Sequence, residues 1–119
     1  MLTSNTATIP LSSHISFNRM KIVKFRMIPD NINTNAILIQ IASLDTNCYV
    51  SQNNRVSYTF MIPFTNNSNF AVYSNDLTDT WDITVNNWTI NKLDVRVINE
   101  SGQLLTLNNS NIIIELMFE

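Results

Sequence analysis

Across RVSYTFMIPF, residues 55 to 64, apolar and polar side chains trade places at every second position. Val56, Tyr58, Phe60 and Ile62 fall on one side, Ser57, Thr59 and Met61 on the other. Period two is the repeat of a pleated strand, whereas a helix would scatter these residues around its axis. The same period returns in Leu93, Val95 and Val97, set against Asp94 and Arg96, and again in Ile112, Ile114, Leu116 and Phe118. A single strand cannot hide its own apolar face. Several such strands must bring those faces together between two layers, so the expected fold is an all-β, single-domain antiparallel β-sandwich of about eight strands.

The remaining segments fill in that pattern. Residues 1–14 are small and polar and read as a flexible N-terminal arm, leaving 15–119 as the β-sandwich domain. From Ile15 to Ile28 the apolar residues change phase near Arg19 to Lys21, which predicts two strands or one strand with a bulge. AILIQIASL, residues 36–44, reads as a central strand buried on both faces. A helix competes there, but the β-branched residues and the lack of helical charge pairs favour the strand. Cys48 to Ser51 is expected to extend the same sheet, and residues 70–74 to form a short strand. Turns are read at Pro29-Asp30-Asn31, at Gln52-Asn53-Asn54, in the polar loop 65–69, in the acidic stretch 75–80 and, as a hairpin, at Asn86-Asn87. The only glycine, Gly102, follows Asn99-Glu100-Ser101 in a tight turn, where a left-handed backbone would penalise a Cβ by about 1 kcal/mol.

The 119 residues suffice for one core without a metal or disulfide staple. Charged residues make up only 13% of them, about half the usual share, so the polar surface falls to nineteen Asn, twelve Thr and eleven Ser. Such a surface loses less on leaving water than one of Lys and Glu, and it suits packing against neighbours. A net charge of −2 offers no cationic excess for phosphates, which argues against nucleic acid as a partner. MLTSNTATIP has neither the basic nor the apolar region of a signal peptide, and no apolar run is long enough for membrane insertion by a helix. The lone Cys48 is expected to be a buried, inert thiol.

Catalytic chemistry is hard to assemble from these residues. His14 is the only histidine, so a Ser-His-Asp triad or a Cys48–His14 pair would depend on a residue of the arm, and Cys48 with His14 cannot complete a structural zinc set. We expect no enzyme, no catalytic residue, no cofactor and no metal. Asp76, Asp79 and Asp82 place three carboxylates close together but lack the spacing and glycine of a calcium-binding EF-hand loop, and a solvated loop is the favoured reading. Trp81, Trp88 and Tyr73 are expected mainly in the core; the alternative is an exposed platform for a glycan or receptor. Arg19, Lys21, Lys24 and Arg26 form the one basic stripe, with at least Lys24 and Arg26 on a common face, either as a solubilising surface or as a contact for an acidic partner.

Ile62-Pro63 closing an apolar strand, Tyr73 in the segment that follows, and then Leu93, Val95, Val97, Gly102 and Leu105 leading into an alternating strand make up a pattern in the second half of the chain. It resembles small β-sandwich structural proteins of eukaryotic DNA viruses, the polinton, virophage and large-DNA-virus group. The resemblance implies a jelly-roll-like minor capsid, penton-like or surface protein with no catalytic residues. The short chain favours an accessory, cement or vertex-associated subunit that forms homo-oligomers and contacts other capsid proteins. Its location would be the virion, after synthesis in the host cytoplasm.

Overall fold

A computed structural model describes residues 6–27, 36–45, 47–51, 54–63, 71–75, 80–105 and 112–119. The strands are β1 (Thr6–Met27), β2 (Ala36–Ile41), β3 (Asn47–Ser51), β4 (Asn54–Tyr58), β5 (Phe60–Pro63), β6 (Ala71–Ser74), β7 (Ile83–Ile98) and β8 (Ile113–Phe118). All ladders are antiparallel. The main sheet runs β5-β2-β7-β1-β6, with β8 also on β1, while β3 and β4 form a separate hairpin. At Met20, β1 pairs with Ile83 on one edge and Phe118 on the other; at Lys24 it pairs with Ser74 and Glu115. β6 and β7 therefore lie end to end along one edge of β1, and the strand segments fill about seven positions.

The sheet becomes a sandwich because its two longest strands bend. β1 buries Phe17, then Met20 and Ile22, then Phe25 and Met27, so its inward phase slips twice. Each slip coincides with a register shift, between Phe17 and Arg19 against β7 and between Ile22 and Lys24 against β8. A bulge adds a residue to one strand and sharpens its twist. The phase break read near Arg19 to Lys21 is thus a bulge within one strand, and a second one follows it. β7 answers opposite Asn18: three residues, 85 to 87, stand between the partners of Arg19 and Phe17, Asn87 takes φ +54°, and its N–H donates to Asn18 Oδ1 at 2.9 Å. Asn86-Asn87 is therefore a bulge in a continuous strand and not the hairpin expected, because β1 holds the chain on both sides of it.

Beyond these bends the two halves face each other. Ile9 of β1, Ile39 and Ile41 of β2, and Leu93 and Val95 of β7 line one wall of an interlayer space of about 60 Å³; Ile114 and Leu116 of β8 line the other. Phe17 and Phe118 close one end with their centroids 4.9 Å apart. Ile112, Ile114, Leu116 and Phe118 point inward, as their spacing predicts. Burying a large aliphatic side chain contributes about 1.5–3 kcal/mol, so the interlayer cluster is the main stabilising feature of the fold.

Central strand β2 is buried on both faces, as expected. Ile37, Ile39 and Ile41 join the interlayer core, while Ala36 and Leu38 meet Val56 and Ile98 in a second cluster under the β3–β4 hairpin. That hairpin is a cover over the sheet, whereas β3 was expected to extend the sheet itself. Its outward positions include Cys48, which is exposed and not the buried thiol expected, because Tyr49 takes the inward place beside the second cluster. The alternating run 55–64 is also divided. At Thr59 the chain leaves β4 over the outer cluster and enters β5 in the main sheet, so Val56 packs with Ala36 while Phe60 and Ile62 pack in the interlayer core.

The polar segment before Ile15 is ordered into the sheet from Thr6 onward: Thr6 to Pro10 pair with Lys92 to Arg96. Residues 6–14 of the segment read as an arm thus belong to β1, and β-branched Thr8 and Ile9 favour extended pairing there. Residues 1–5 lie outside the described residues, as do the turns read at 29–31, at Gln52-Asn53 and in 65–69. Gly102 has φ +86° as expected, and Asn99 fixes its turn by accepting the N–H groups of Ser101 and Gln103 on Oδ1 at 2.9 and 3.0 Å.

Candidate functional site

The fold separates the three aromatic candidates, Trp81, Trp88 and Tyr73, and sets Trp81 beside two residues of the basic stripe. Trp81, just before β7, lies beneath two cations, with the Arg19 guanidinium carbon 4.8 Å and the Lys21 Nζ 5.2 Å from its ring. Its buried indole N–H has no acceptor among the described residues. Trp88 stands elsewhere, 40% exposed beside Ala42 and Ser43. Tyr73 pairs with Phe25 in the β6–β1 ladder, and its side chain lies outside the described residues. His14 is exposed on β1. Asp76 and Asp79 lie outside the described residues, and among those described no three His, Cys, Asp or Glu side chains converge as metal ligands.

The bulges also split the basic stripe. Arg19 forms an ion pair with Glu119, Lys21 is buried against Trp81, and only Lys24 and Arg26 point outward together. Asp82 also reaches this group: its Oδ2 accepts the Ile22 N–H at 2.9 Å. Although much of the residue is exposed, withdrawal of the carboxylate from water raises its pKa above the ordinary value, against the lowering effects of the Ile22 N–H and Lys21. The folded state then holds this proton to higher pH than the unfolded chain does. Asp82's contribution to stability accordingly falls as pH rises from the ordinary carboxylate value through the raised one. Asp82→Asn keeps an acceptor for Ile22 and removes that dependence. Urea midpoints measured from about pH 3 to pH 7 should show wild type losing ground to the variant as pH rises; the opposite trend would mean that attraction to Lys21 dominates.

Two surfaces remain. The first is the outer face of β8 and the adjoining part of β1. Ile113 and Met117, 41% and 46% exposed, flank Glu115, and the cross-strand neighbours Lys24–Glu115 and Arg26–Ile113 set two cations beside them. The far edge of β8 has no strand partner among the described residues.

The second is a groove over β7. Lys92, Asp94 and Arg96 alternate along that strand, with Thr8 opposite Asp94 and Gln40 opposite Arg96. Thr8 donates to Asp94 Oδ1 at 2.8 Å, and Lys92 Nζ lies 3.6 Å from Asp94 Oδ2. β2 leaves the sheet just there. After the Ala42 N–H donates to Asp94 O at 3.0 Å, Ser43 adopts φ +74° and Leu44 bonds back to Ile41. The departure opens a space of about 400 Å³ lined in part by Thr8, Gln40, Asp45, Asp94 and Arg96, continued by one of about 200 Å³ that shares Ala42 and Asp94 and reaches Trp88. Reading the sequence did not find this groove, since its polar residues come from three strands whose register alone aligns them.

No protein-family model matches the chain, and no curated protein matches it significantly.

Proposed function

We propose that this chain is a non-enzymatic structural protein acting through self-association and contacts with other capsid proteins, as a minor capsid, cement or vertex-associated subunit of a virion. The observation that carries the reading is the outer face of β8: two exposed apolar side chains beside Lys24 and Arg26, on a strand with an open edge among the described residues. Unprotected edges promote association, and Met and Arg are enriched in protein interfaces. A surface of Asn, Thr and Ser leaves few charges to strip of water when neighbours pack. Many modest contacts then sum in a shell. The virion setting rests on the sequence resemblance alone.

Sedimentation velocity across a wide concentration range tests the association. Wild type should form oligomers, and Met117→Glu should shift it to monomer by burying an unpaired charge in the contact, with circular dichroism unchanged. A wild type that stays monomeric throughout, or a variant that assembles equally well, removes this face as the interface. Recovery of the chain in purified particles is the corresponding test of the virion setting.

A further inference from the structure

We infer that the groove over β7 is a binding site for a neutral saccharide. Its charged residues balance, with Asp45 and Asp94 set against Lys92 and Arg96, so it offers no net attraction to a phosphate or to a polycation. A sugar hydroxyl both donates and accepts hydrogen bonds, which suits a lining that alternates carboxylates with ammonium, guanidinium and amide groups. Trp88, 40% exposed at one end, presents an apolar ring on which the C–H face of a pyranose can stack. Spaces of about 400 and 200 Å³ are of the size that takes a small ligand.

Much of the lining is held in place before any ligand arrives. Asp94 is held by Thr8, Asp45 accepts the Thr59 hydroxyl at 2.9 Å, and Gln40, which lines the groove, is held by donating through Nε2 to Ser57 O at 2.7 Å. Side chains already fixed lose little entropy on binding. The site is separate from the β8 face proposed for association, so either function can be lost without the other.

The test is a panel of neutral and sialylated oligosaccharides, followed by nitrogen-proton NMR through the Trp88 indole and the Asn91 to Asp94 amides. Neutral members should shift these signals. Trp88→Ala and Asp94→Asn should each weaken binding at least tenfold with the circular dichroism spectrum retained, while Trp81→Phe and Met117→Glu should leave it unchanged. No shift with any neutral member, undiminished binding by Trp88→Ala, or selective binding of sialylated members would overturn the assignment. So would an extended peptide that adds along β7 from Trp88 to Lys92 while no sugar binds.

Discussion

Phe25→Ala is expected to destabilise the protein by about 3–5 kcal/mol, the usual loss when a buried aromatic ring is deleted and its cavity stays open. Phe25 is 1% exposed and sits where β1 is flanked on both edges, by Tyr73 of β6 and Ile114 of β8. Backbone pairing on both sides restrains collapse around the missing ring. A small domain has only about 5–15 kcal/mol in total, so the variant should unfold at much lower urea concentration and populate unfolded chains at moderate temperature. Arg26→Ala, one residue away on the exposed face, should stay within about 0.5 kcal/mol of wild type. Equal and small effects at both positions would show that β1 does not separate a packed interior from solvent.

Thr59→Val should cost about 1–3 kcal/mol although it preserves shape and adds an apolar methyl. Thr59 is 1% exposed at the point where the chain passes from the cover hairpin into the main sheet. Its hydroxyl accepts the Ile41 N–H at 2.9 Å and donates to Asp45 Oδ1 at 2.9 Å, while its own N–H donates to Ile39 O at 2.8 Å. Valine would leave the Ile41 N–H with only the longer 3.2 Å bond to Asp45 and would strip Asp45 of a donor. Thr59→Ser should recover most of the loss. Amide exchange would place the effect: Ile41 should be deprotected in the valine variant, with Phe25 and Ile114 changed only as much as global stability requires. Full stability in Thr59→Val would show that the hinge is held by β4 and β5 alone.

Thr59 also shows where sequence reading stops. Its alternation with Ser57 and Met61 is real, and it marks extended chain correctly. Alternation records which side of the strand a residue occupies, however, and is silent on which sheet lies there. Val56 and Phe60 share a phase but pack in different clusters. Asn86-Asn87 carries a similar ambiguity. Tolerance of positive φ is a local property that serves a hairpin or a bulge equally well, and the choice was made by β1, which pairs with β7 on both sides of that point. Cys48 and Lys21 exchanged their expected environments for the same reason: the hairpin turns one outward, while the bulges turn the other in beside Trp81.

The amino-acid order by itself determined strand in preference to helix, the burial of β2 on both faces, the inward face of β8, and the left-handed turn at Gly102, because each depends on side-chain pattern or on one residue's own backbone. Only the tertiary structure decided where β1 and β7 bend, that residues 6–10 join the sheet, and that Gln40, Asp94 and Trp88 border one groove. Those features depend on ladder register between segments far apart in the chain, and register is set by how all the apolar faces fit together at once.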